Sequence, residues 1–114
     1  MNLDKLRTLC MSMPGATEGL KWEDHICFMI GEKMFCITSE RGGVSLKTSD
    51  EDFEVLTERD GIIPAPYMAR NKWVYIERYT ALKPKEWEHY AGTAYDLIRA
   101  KLPKKVREAW PPRQ

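Results

Sequence analysis

A chain of 114 residues with 43% apolar side chains and a net charge of +1 is long enough for one hydrophobic core and too short for two. The near-neutral balance excludes a whole-molecule attraction to polyanions, and no apolar run approaches the roughly 20 residues that a membrane span needs. Three cysteines without a C-x-x-C spacing exclude a disulfide framework and a structural zinc site, and they point to a reducing cytoplasm.

Asn2 is placed to cap a first helix running to about Met13, whose apolar stripe is Leu3, Leu6, Leu9, Cys10 and Met13. Asp4, Lys5 and Arg7 interrupt this stretch, so no signal peptide is expected. Met13-Pro14-Gly15 stops the helix. Alternation of Ala16, Glu18, Leu20 and Trp22 then predicts a short strand. Two apolar runs follow, Ile26–Ile30 and Met34–Thr38, on either side of Gly31-Glu32-Lys33. Reading Gly31-Glu32 as a type II′ turn sets Ile30 opposite Lys33, Met29 opposite Met34, Phe28 opposite Phe35 and Cys27 opposite Cys36. Ile26, Phe28, Ile30, Phe35 and Ile37 would then form the core face, continued by Val44 and Leu46 after the Gly42-Gly43 turn.

Ser49 is a helix cap with Asp52 three residues on, and Phe53, Val55 and Leu56 are the expected buried contacts of that short helix. Ile62–Pro66 carries two prolines and reads as an edge or a connector, because proline cannot donate to a ladder. Trp73–Glu77 reads as a strand with Val74 and Ile76 inward. From Pro84 to Leu102, the residues Trp87, Tyr90, Ala91, Ala94, Leu97, Ile98 and Leu102 recur at steps of three and four, the stripe of one long amphipathic helix. Pro84 suits its first position and Pro103 ends it. The order implies α+β: a single compact domain, residues 1–114, with an antiparallel sheet covered on one face by the N- and C-terminal helices. Residues 104–114 form a basic C-terminal tail. From Lys83 onward, eight basic residues meet four acidic ones, a net +4 that leaves −3 for the remainder.

Catalytic signals are absent. His25 and Cys27 lack a third group to orient a base, the acids at 50–54 lack the glycine and alternation of a calcium loop, and Gly42-Gly43 lacks the lysine of a phosphate loop. No catalytic residue, metal ligand or cofactor is assigned, and the chain reads as a non-enzyme. The uncovered sheet face is expected to present Met29, Met34, Thr38, Ser45, Lys47, Trp73 and Tyr75. Rings with cations among them bind nucleic acid by stacking and phosphate contact, which makes Lys47, Arg70, Lys72, Trp73 and Tyr75 the candidate nucleic-acid-binding residues. In the other reading of the same residues, Trp73 and Tyr75 pack beneath the loop at Pro64–Tyr67 and Lys47 is solvated.

The segments Pro14-Gly15-Ala16-Thr17-Glu18, Gly31-Glu32-Lys33-Met34-Phe35, Val44-Ser45-Leu46-Lys47, Asn71-Lys72-Trp73 and Ala94-Tyr95-Asp96-Leu97-Ile98, with Lys101-Leu102-Pro103-Lys104-Lys105, resemble the MmcQ/YjbR-like proteins along nearly the whole chain. The resemblance implies a bacterial α+β domain of frataxin-like or secretion-chaperone-like fold. It also implies a family described as DNA-binding by similarity to the double-wing domain of a phage transcription activator. One departure is local: relatives often carry a histidine before the Asn-Lys-x-x-Trp region, where this chain has Tyr67-Met68-Ala69-Arg70 and a shorter spacing to Trp73. The leading expectation is a small cytoplasmic monomer, off the membrane, that binds DNA or single-stranded nucleic acid weakly through the open sheet face. The alternative is a protein- or peptide-interaction module using the same Met and aromatic surface. Iron handling by analogy with frataxin is disfavoured, because the first helix sets Asp4 against Lys5 and Arg7 instead of a dense acidic face.

Overall fold

In the computed structural model, which describes residues 1–113, Asn2 caps α1 (Leu3–Met11) by accepting a hydrogen bond from the Lys5 N–H at 2.9 Å. Four strands follow as a meander: β1 (Thr17–Lys21), β2 (His25–Ile30), β3 (Lys33–Ser39) and β4 (Val44–Lys47). Ser49 caps α2 (Asp50–Leu56), its hydroxyl accepting from the Asp52 N–H at 3.1 Å. Then come β5 (Ile62–Pro64), β6 (Trp73–Ile76), the long α3 (Pro84–Ala100) and a short α4 (Lys104–Glu108). The strands form one antiparallel sheet in the order β1-β2-β3-β4-β6-β5. Pro64 therefore sits on the outermost strand, where a missing N–H costs no ladder bond.

The β2–β3 hairpin departs from the predicted register. Ile30 pairs with Lys33 and Met29 with Met34, as expected, but Phe28 pairs with Cys36 and Cys27 with Ile37. Phe35 is the extra residue of a β-bulge, and beyond it every side chain of β3 changes face. The turn is type I′ rather than II′, since both Gly31 and Glu32 have positive φ, 56° and 67°. Phe35 still reaches the helices, its ring meeting Tyr95 of α3 edge-to-face at 5.5 Å. Cys36 follows it onto the helix side, where burial first, and then the neighbouring thiol of Cys10 in α1, push its thiol pKa up. Ile37, expected in the core face, turns to the opposite side. Thr38, expected on the open side, pairs with Ile26 and Val44 on the helix side, and its hydroxyl donates to the Gly43 carbonyl at 2.9 Å.

The core therefore lies between the helices and Ile26, Phe28, Ile30, Phe35, Cys36, Val44, Leu46, Val74 and Ile76, all buried. Trp87, Ala91, Ala94, Tyr95 and Ile98 of α3 cover them. Tyr95 also ties α3 to the end of α1, its hydroxyl donating to the Pro14 carbonyl. Of the contacts predicted for α2, only Leu56 is fully buried; Phe53 is half-buried and Val55 is exposed.

The segment read as a basic tail is instead folded back. Arg99 donates to the carbonyls of Arg107 and Trp110, at 3.2 and 2.8 Å, and Arg113 grips Asp96 with bonds of 3.1 and 2.9 Å. The Trp110 ring lies where a β-carbon on Gly15 would be, and Gly15 has a φ of +72°. Gln114 falls outside the described residues.

Candidate nucleic-acid interface

Lys47 closes β4 and pairs in register with Trp73, which opens β6. The chain between β5 and β6 returns over this junction in a short 3-10 turn, Ala69–Asn71, followed by Lys72 in the left-handed region at φ 61°. Three hydrogen bonds lock the return. The Thr48 N–H and hydroxyl both donate to the Lys72 carbonyl, at 2.8 and 2.7 Å, and the Lys47 amine donates to the Asn71 carbonyl. Trp73 is held on both of its backbone groups, its N–H donating to Met68 and its carbonyl accepting from Ala65.

This packing corrects the expected display. Lys47 is 8% exposed and Trp73 is 7% exposed, so the first is no free surface cation and the second offers no open ring face for a base. Ser45, expected on the surface, is buried as well. Tyr75 is half-buried and lies over Gly43, whose missing β-carbon leaves room for the phenol. Arg70 is exposed. Lys72 is half-buried with its amine 4.9 Å from the centre of the Phe53 ring, a cation–π contact.

One cation was not part of the expected set. Lys101, just past α3, lies close enough to act on Lys47. Burial pushes the Lys47 amine below its ordinary range, Lys101 and Lys72 push it further, and the Asp50 carboxylate alone opposes them. Among the described residues, Arg70, Lys72 and Lys101 are in no ion pair. Like charges have thus been gathered at one end of the sheet, where β4 stops and β6 starts. Of the five predicted residues, Lys47, Arg70, Lys72 and Trp73 come together there. Tyr75 shares their face two residues further along β6.

The other candidates stay apart from chemistry. His25 Nδ1 lies 2.8 Å from the Asp24 carboxylate. Cys27 is fully buried with its thiol pKa raised by burial, the opposite of what a nucleophile requires. Among the described residues no cluster of three His, Cys, Asp or Glu could hold a metal ion, and no helix is long and apolar enough to cross a membrane.

No curated protein matches the chain. Among solved structures it is similar to a crystal structure of the Deinococcus radiodurans protein DR2400, a DUF419 domain. The TM-score is 0.85 at 22% identity, over 95% of this chain and 86% of that one. A likeness at that identity speaks for the fold alone. The YjbR family model matches residues 11–97, from the end of α1 through most of α3. That match takes in the whole sheet and most of the helix that covers it, and by it the chain belongs to the YjbR family.

Proposed function

We propose that this YjbR-family domain binds nucleic acid weakly through the cationic end of its sheet. Arg70, Lys72 and Lys101 meet phosphates, and Lys47 holds the loop that carries two of them. The observation that supports this reading is the cluster itself: Lys72 and Lys101, neither of them in an ion pair among the described residues, both act on the buried Lys47 amine, with the Asp50 carboxylate opposing them. A folded chain tolerates such a cluster more easily when a polyanion relieves it. The half-burial of Met29, Met34 and Tyr75 favours this cationic end over a peptide groove on the open face.

Affinity should be modest because few counterions are released. About three phosphate contacts at ~0.7–0.9 each give a log–log salt slope of about −2 to −3 and micromolar or weaker binding. Fluorescence anisotropy with labelled single- and double-stranded oligonucleotides across a salt series measures this. Arg70→Gln and Lys101→Gln, both at exposed positions, should each lower the slope by about one and weaken all sequences alike. Absence of binding at low salt, or a slope that both substitutions leave unchanged, refutes the reading.

A further inference from the structure

At the opposite end of the strands the character of the surface reverses. The β1–β2 hairpin pairs Lys21 with His25 and leaves a three-residue loop in which Trp22 and Glu23 both take left-handed backbone, φ 50° and 70°. Beside it lies a cavity of about 410 Å³ whose floor is Leu20 and Ile26, register partners on the helix side of the sheet. Glu23, Asp24 and Glu40 line it against one cation, Arg41. Leu20 is 71% exposed and Trp22 next to it is 63% exposed, two large apolar side chains left in water at one hairpin tip. The volume is within the range of ligand sites, ~300–1,000 Å³.

We propose that this cavity docks an extended peptide segment carrying an arginine flanked by apolar side chains. Charge complementarity selects the cation, since three carboxylates face one arginine across an apolar floor. A guanidinium suits them better than a compact amine because it pairs with carboxylates through two parallel bonds, while its aliphatic stem covers Leu20 and Ile26. The backbone has a place as well: β1 is the outermost strand on its side, with an edge open to a further strand. A segment added there places every second side chain on the helix side, next to Leu20. Two of the carboxylates have neighbours of their own. Asp24 is shared with His25, and Glu40 also acts on Arg7 of α1. Glu23 is thus the acid most open to the incoming cation.

The test is a titration of the ¹⁵N-labelled full chain, followed by NMR, with the acetylated and amidated peptide Leu-Arg-Val-Arg-Leu and with its glutamate counterpart. The arginine peptide should shift amides at 20–26 and 39–41 and leave 70–72 and 101 in place. The glutamate peptide should shift neither. Glu23→Gln combined with Glu40→Gln should weaken binding about tenfold, as the loss of two partly exposed charge pairs does. Leu20→Ser should weaken it by a similar factor by removing the apolar floor. All three positions are solvent-exposed, and an unchanged thermal midpoint shows that each variant is folded. Four results overturn the proposal. They are shifts confined to the cationic end or absent, equal binding of the glutamate peptide, and full affinity in Leu20→Ser, which would mean charge attraction without a site. The fourth is hairpin shifts that grow with protein concentration before any peptide is added, which would make a second copy of this chain the occupant.

Discussion

Replacing Glu86 by glutamine should cost about 1–1.5 kcal/mol at pH 7, and the cost should disappear in acid. Glu86 sits in the first turn of α3, where its carboxylate accepts from the Lys83 N–H at 2.9 Å and from both terminal nitrogens of Arg59, at 2.6 and 3.2 Å. Arg59 lies just past α2 and also donates to the Ala81 carbonyl at 2.9 Å, so one guanidinium joins three segments over the helix layer. Arg59 first, then the Lys83 N–H, lowers the Glu86 pKa from 4.5 to about 2. At face value that displacement would be worth about 3.4 kcal/mol. The Arg59 and Glu86 side chains are 36% and 29% exposed, however, and solvent screening leaves less than half of it. A carboxylate whose folded pKa is depressed stabilises above its unfolded value and loses that contribution as pH falls through the folded value. The difference between wild type and Glu86→Gln should therefore be constant above about pH 5 and shrink toward zero by about pH 2. Other carboxylates titrate in both proteins and cancel in the difference. Urea unfolding at a series of pH values measures it, and the neutral-pH loss corresponds to a thermal midpoint lower by about 4 °C. A difference that is flat from pH 7 to pH 2 would show that the loss comes from packing, and not from the bonds that Arg59 and the Lys83 N–H make to the ionised carboxylate.

Trp73→Ala should destabilise by about 3–5 kcal/mol in urea unfolding, as truncation of a buried indole does, whereas a loss below about 1 kcal/mol would mean that the ring is solvent-facing after all. Mild oxidation followed by peptide mass mapping should yield no Cys27–Cys36 link, since Cys27 pairs with Ile37 and the two thiols leave opposite faces of the sheet. Recovery of that link would restore the bulge-free hairpin.

Much of this architecture is written in local pattern. The caps at Asn2 and Ser49, the prolines that confine β5 to an edge, and the three-and-four spacing from Trp87 to Ile98 each follow from one stretch of chain and one physical rule. The hairpin shows where such reading stops. Alternation counts residues two by two and contains no mark for an extra one, so Phe35 reverses everything after it on β3. Phe28 and Phe35 both look like core residues, and both are; what the pattern misses is that Cys36 joins them on the helix side, while Ile37 is buried on the other face of the sheet.

The candidate site fails to be legible for a related reason. Alternation does send Lys47, Trp73 and Tyr75 to one face, and the register of β4 against β6 agrees. Facing away from the helices is not the same as facing water, though. The loop at 65–72 covers the junction because Thr48 and Lys47 donate to its carbonyls, and no periodicity in either segment announces those bonds. Lys101 enters only because α3 runs back across β2, β3 and β4 and ends beside Lys47. A cation cluster assembled from a strand end, a left-handed loop residue and a helix C-terminus is a property of the tertiary fold. The same holds for the acidic cavity at the other end, whose carboxylates come from two different turns. With cations at one pole of the strands and carboxylates at the other, a net charge of +1 conceals two surfaces of opposite sign, whose fields fall off separately over a Debye length of about 8–10 Å.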